Sequence, residues 1–347
     1  MLRITKRHDL LVTGRTLLIG SIGAWIANVI NAPIAVLTGP AVLVALSALI
    51  GLKTGIDDSV RNITFLIVGI GIGSGMNSGA TEAILKWPLA FAILGITLCA
   101  TLWICGRVLE YGFGIPRQSA YLAAAPGHLS FVVSLSSALE LDTTRIVVIQ
   151  SVRIMALTLS APVIAMAFGF DLNVQIIPSG ILISWIHLGL LSIIGLIIGY
   201  VFDKVGLPAA LLIAGMVVST VGHSTSLTPG VLHPWMNLIG LVIIGALIGA
   251  RFNGITRSAL LQSLIAGLTT TAITVIMVIF AVILVAYLLS LESTHVLVAF
   301  APGGLEAMIV MGAVIGANPG FVSACHIARL LFLTMLIPAF VGRIKLK

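Results

Sequence analysis

One stretch of 38 residues occurs twice in this chain and limits what it can fold into. The first copy, APGHLSFVVSLSSALELDTTRIVVIQSVRIMALTLSAP, runs from Ala125 to Pro162. The second, APGGLEAMIVMGAVIGANPGFVSACHIARLLFLTMLIP, runs from Ala301 to Pro338. They align without a gap at an offset of 176, with eight identities. Four of these are Pro126/Pro302, Gly127/Gly303, Arg153/Arg329 and Pro162/Pro338, while Gln150 is matched by His326 and Asp142 by Asn318. Pro-Gly breaks a helix, and an Arg 27 residues later sits alone in an apolar run. Both features are costly at membrane depth, and the chain carries them twice.

Only 8% of the 347 residues are charged and 59% are hydrophobic. A soluble domain averages roughly 25% charged residues. The expected class is therefore an all-α polytopic membrane protein, with about ten spans of roughly 20 residues. The net charge of +7 is no nucleic-acid footprint, because Lys and Arg are scattered singly through short loops. No cleavable signal peptide is expected, since the run after Arg15 is as long as a span. Cys99, Cys105 and Cys325 all lie in apolar runs and read as free thiols.

Apolar segments fall at about 12–31, 34–52, 62–78 and 84–109, then a Pro-Gly hairpin at 118–140 and a segment at 144–170. The second half repeats the series at about 178–202, 207–221, 235–252 and 258–290, with a hairpin at 293–316 and a last span at 318–342. Echoes outside the long repeat pair Pro33 with Pro208 and Gly79-x-Thr81 with Gly254-x-Thr256. The expected units are a first membrane repeat, 1–172, and a second, 173–347.

Charge decides whether the hairpins cross. If each is re-entrant, each half has five crossings and the halves are inverted. With a cytoplasmic N-terminus, 15 Lys and Arg then lie inside, Lys86 alone lies outside, and Arg153 and Arg329 are intramembrane. If both hairpins cross, the split is 11 to 5. The inverted arrangement obeys the positive-inside rule and puts both termini in the cytoplasm of a bacterial inner membrane.

Nine residues into its helix, each Arg lies about 13 Å deep, near the centre of a core about 30 Å thick. Two readings follow. Each Arg could bond carbonyls freed by the opposite break. Alternatively, both guanidiniums and two half-helix N-termini could converge on an anion. The second reading assigns substrate binding to Arg153, Arg329, Pro126, Gly127, His128, Ser130, Gln150, Pro302, Gly303, Gly304 and His326. Glu306, in the first turn after the second break, reads as a dipole partner or capping group, as the binding group for a coupling H⁺ or Na⁺, or as the counter-ion of an Arg. His187 reads as a packing residue. The run Gly69-x-Gly71-x-Gly73-x-Gly75 has no strand before it, so it reads as close helix packing rather than a phosphate loop. No cofactor, metal site or catalytic residue is expected.

The paired motifs resemble the AbrB family of bacterial membrane proteins, an internal duplication with Pro-Gly-Gly and a downstream Gln-x-x-Arg in each half. Here they read Pro126-Gly127-His128 with Gln150-x-x-Arg153, and Pro302-Gly303-Gly304 with His326-x-x-Arg329. His128 and His326 depart from that pattern. The resemblance brings family labels, regulator of gene expression and ammonia monooxygenase, and a layout similar to sodium/glutamate and citrate symporters. Three functions are weighed: secondary transport of a small organic anion, an indirect role in gene regulation, and a membrane monooxygenase. The last needs clustered metal ligands, while the seven His are scattered. The expected partners are the bilayer and a small anion, with a homodimer left open and no direct nucleic-acid binding.

Overall fold

A computed structural model describes residues 7–74, 87–126, 129–167 and 181–341, without the side chains of 7–9, 129–131, 165, 167 and 306. The described chain is helical. Apolar runs of this length must satisfy their backbone internally, and the helix does so within one segment. The helices are α1 (Arg7–Val29), α2 (Ala35–Leu49), α3 (Asp58–Gly73) and α4 (Trp87–Arg107). A π-helical turn, Val108–Gly112, continues α4. Then come α5 (Arg117–Ala124), α6 (Leu129–Ala138) and α7 (Thr143–Ala167). The second half contains α8 (Trp185–Lys204), α9 (Ala210–Ser224), α10 (Pro234–Ala250) and α11 (Arg257–Leu289), followed by α12 (Ser293–Phe300), α13 (Leu305–Val314) and α14 (Pro319–Val341).

Among the described residues, six helices are long and apolar enough to cross a membrane: α1, α4, α7, α8, α11 and α14. The expected ten crossings would add α2, α3, α9 and α10. These have 15 to 17 residues, or about 22–26 Å of helix, somewhat short of a hydrocarbon core. Large apolar side chains stand exposed along the outer helices, among them Leu11 and Trp25 of α1, Ile186 and Ile193 of α8, and Phe280 of α11. In water such a surface would aggregate; against lipid it is matched.

The packing pairs off between the halves. α1 lies on α2 as α8 lies on α9; α2 lies on α10 as α9 lies on α3; α7 lies on α11 as α14 lies on α4. The backbone pairs off too. Left-handed residues recur at offsets of 175 or 176: Asn31 with Gly206, Ile34 with Ala209, Gly51 with Ser226, Gly114 with Ser290, and Glu140 with Gly316. A left-handed β-branched residue such as Ile34, with φ of 46°, is costly and is not adopted by chance.

α3 and α10 each seat on a helix of the other half through two glycines one turn apart. Gly69 and Gly73 face α9, where an added Cβ would lie 3.0 Å from the backbone nitrogens of Met216 and Thr220. Gly245 and Gly249 face α2 in the same way, and a Cβ on Gly249 would lie 2.9 Å from Ala45 N. Lipid supplies no hydrophobic drive between helices, so close backbone approach at small residues does the holding. The glycine run of α3 is thus a packing device, with Gly71 turned towards Leu232 and Asn237; Gly75 lies outside the described residues.

Gly249→Val should push α10 off α2 and cost about 1–3 kcal/mol, the usual range for overpacking. The melting temperature of detergent-purified protein checks it. Gly254→Ala, where nothing lies within 4 Å but φ is +79°, separates backbone strain from steric clash.

Candidate functional site

Neither α5 (8 residues) nor α6 (10 residues) is long enough to cross a membrane, and α12 and α13 have the same lengths. Each pair folds back on itself. At the first, Arg145 Nη2 donates to the Phe113 carbonyl at 3.5 Å, joining the start of the hairpin to the residues just beyond its end. At the second, His295 Nε2 lies 3.0 Å from the Gly316 carbonyl oxygen, which bridges the same two places.

Pro126 and Pro302 determine what happens at the turn. A helix pairs each carbonyl with the N–H four residues on. For Leu122 and Val298 that residue is the proline, which has no N–H to give. Side chains from the following long helix replace the missing donors. Gln150 Nε2 donates to the Leu122 carbonyl at 2.8 Å, and His326 Nε2 lies 3.3 Å from the Val298 carbonyl oxygen. One turn further along, the arginines take the remaining carbonyls. Arg153 Nη1 donates to Ala124 O at 2.9 Å and Ala123 O at 3.5 Å, and its Nη2 to Ala125 O at 2.7 Å. Arg329 Nη2 donates to Ala299 O at 3.0 Å. Its Nη1 lies 3.2 Å from His326 Nδ1. An Arg can only donate, so His326 accepts on Nδ1 and carries its proton on Nε2, facing Val298.

One reading of the sequence paired each Arg with the opposite break. The structure corrects this: each bonds the break of its own half. The geometry explains why. The carbonyls at a helix C-terminus carry partial negative charge, and the hairpin's return brings α7 against α5, and α14 against α12. Both guanidiniums are fully buried, Arg153 at 0% and Arg329 at 1% exposure. Their acceptors are neutral. Among the described residues no carboxylate is in ion-pair contact with either. The Nε of each, and Oε1 of Gln150, are buried without a hydrogen-bond partner among the described residues.

Gly127 and His128 lie outside the described residues, as do the side chains of Ser130 and Glu306. Pro302 and Gly303 are buried, and Gly304 caps α13 without a side-chain bond. The hairpins touch the other half: α5 packs on α14, with Tyr121 and Phe340 stacked at 5.4 Å, and α12 packs on α7. A cavity of about 380 Å³ opens beside α5, lined among others by Ser119, Ala123, Glu140, Asp142, Arg145 and Ile149. A second, of about 20 Å³, lies at Ala301-Pro302 against α7 and α11. Sequence reading missed Ser119 and Arg145 as lining residues. The signal for the carbonyl contacts was present in the spacing between Leu122 and Pro126.

Comparison with known proteins gives the same family as the motifs. A family model described as "Transition state regulatory protein AbrB" matches residues 36–345. The chain is 22% identical over 298 residues to the "Uncharacterized protein YhjN" of Bacillus subtilis (strain 168), covering 79% of this chain and 76% of that protein. It is 21% identical over 324 residues to the "Putative regulator AbrB" of Escherichia coli (strain K12), covering 89% and 90%.

Arg153 holds three carbonyls and Arg329 holds one carbonyl and a histidine. Leaving buried carbonyls bare costs about 1–3 kcal/mol each. Arg153→Ala should therefore lower the melting temperature more than Arg329→Ala. Arg153→Lys, a point charge without the fork, should fall between wild type and Arg153→Ala.

Proposed function

The chain belongs to the AbrB family, and we propose that it is a secondary transporter of a small organic anion. One observation carries this reading. Two guanidiniums are buried among neutral acceptors, with no carboxylate beside them among the described residues. A buried charge without a counter-charge is expensive, and a bound anion would offset the cost. Arg329 makes fewer carbonyl bonds than Arg153, so it is the better candidate to contact substrate directly. Arg153 then mainly holds the first break open. The substrate would lie between the two breaks, with Gly303, Gly304, Gln150 and His326 around it, and Pro126 and Pro302 as the hinges.

The paired packing, the recurring left-handed residues and the folded-back hairpins support two inverted repeats of five crossings each, with the hairpins re-entrant. The positive-inside distribution supports an inner-membrane protein with both termini in the cytoplasm. Coupling to H⁺ or Na⁺, through Glu306, completes the transport reading. The family description favours a second reading, an indirect part in regulating gene expression, which transport of a metabolite would itself produce. A monooxygenase would require clustered ligands, and the described residues hold no group of three metal-binding side chains.

Purified protein in proteoliposomes, offered labelled small carboxylates under an inward H⁺ or Na⁺ gradient, should show gradient-dependent uptake. Arg329→Ala should reduce that flux at least about tenfold, the effect of losing one charge-assisted contact worth about 1.4 kcal/mol or more. No flux with any carboxylate, under either gradient, would contradict the proposal.

A further inference from the structure

We infer that the 380 Å³ pocket beside α5 is a docking subsite for a monocarboxylate with an apolar body, and that the matching space in the second half is sealed by His295. This rests on the transport reading, and supplies its access route from one membrane face.

The pocket's interior and its rim differ. Inside, Ile115, Leu141, Ile146 and Ile149 form apolar walls. Two polar groups face them. Ser119 is 5% exposed and lines the pocket with its hydroxyl-bearing side chain. Arg145 makes one long bond to Phe113, and its Nε is buried without a partner. A hydroxyl and a guanidinium suit one carboxylate head. At the rim, Glu140 and Asp142 are exposed, and Asp142 Oδ1 accepts from the backbone N–H of Arg145. These two carboxylates disfavour multiply charged ligands such as citrate or phosphate. The floor reaches Ala123, whose carbonyl Arg153 holds, and Ile149, the residue before Gln150. The pocket thus stops one layer of side chains short of the first break.

The offset of 176 identifies the corresponding positions in the second half. Ser119 becomes His295, Glu140 becomes Gly316, Arg145 becomes Phe321 and Ile149 becomes Cys325. There the corresponding side chains are engaged by neighbours. His295 Nε2 lies 3.0 Å from both the Gly316 carbonyl oxygen and Glu292 Oε2. Phe321 is 3% exposed and packs on Trp87 with ring centroids 5.7 Å apart. Cys325 is fully buried behind it. The same fold is open at one hairpin and shut at the other, which is the asymmetry that alternating access needs.

Thiol labelling tests both parts without measuring transport. In a chain carrying Cys99→Ser, Cys105→Ser and Cys325→Ser, Ser119→Cys should react with N-ethylmaleimide. Hexanoate at about twice its Kd should slow the reaction roughly threefold, because labelling falls as one plus the ratio of ligand to Kd. Hexanamide, citrate and phosphate should not slow it. Arg145→Ala should abolish the protection and Arg145→Lys should retain part of it. Protection that survives Arg145→Ala, or that hexanamide gives equally, overturns the subsite. In a second chain, with Cys325 kept and Cys99→Ser and Cys105→Ser, Cys325 should be inert and become reactive on His295→Ala. A thiol equally reactive, or equally inert, in both overturns the seal. Protection by hexanoate with no carboxylate flux leaves the subsite and removes the transport reading. Flux that depends on Arg329, with no protection, removes the subsite alone.

Discussion

Two missing hydrogen bonds organise the centre of this protein. Pro126 and Pro302 cannot donate to Leu122 and Val298, so two half-helices end with carbonyls short of their helical donors inside an apolar molecule; Leu122 keeps only a long bond, 3.4 Å, from the Ala125 N–H. Bare carbonyls at that depth would unfold the turn. Gln150 and His326 replace the lost donors directly, at 2.8 and 3.3 Å. Arg153 and Arg329, three residues on and therefore on the same helix face, cover the next carbonyls. The spacing of the motif in sequence is thus the spacing of a repair in space. The break, the polar side chain and the arginine form one unit, and the chain uses it twice.

The repair is uneven, and the unevenness bears on function. Arg153 is committed to three carbonyls, whereas Arg329 shares itself between one carbonyl and His326. A neutral Gln in one half and a His in the other give two similar scaffolds different chemical capacity. Dipolar carbonyls lower the cost of each buried guanidinium but leave its unit charge in place. Bundle packing supplies the rigidity. Glycine pairs on α3 and α10 let the short inner helices sit backbone to backbone, so the frame around the breaks is held by contacts in which a single added methyl would clash.

Much of this was legible in the residues. The duplication, the Pro-Gly breaks and the lone arginines gave the helical membrane class and the two hairpins as units. The glycine run was readable as packing because no strand precedes it. The direction of each arginine was not readable. Sequence places Arg153 at mid-depth, but only the fold shows that the hairpin's return brings it to the carbonyls of its own half. Counting four residues back from each proline would have named Leu122 and Val298. Ser119 and Arg145 were hidden for another reason. Their shared cavity exists only because 115–119 and 140–146, far apart in sequence, are brought together. The four inner helices came out shorter than a full span, since their ends are set by turns such as the left-handed Ile34 and Ala209.

A double-mutant cycle between Pro126 and Gln150 tests the central claim most directly. Unfolding is measured for wild type, Gln150→Leu, Pro126→Ala and the double variant in the same detergent. If Gln150 stands in for the N–H that proline lacks, restoring that N–H makes it redundant. Gln150→Leu should then cost about 1–3 kcal/mol in the wild-type background and much less in the Pro126→Ala background. Costs that simply add, with Gln150→Leu equally damaging in both backgrounds, would contradict the account.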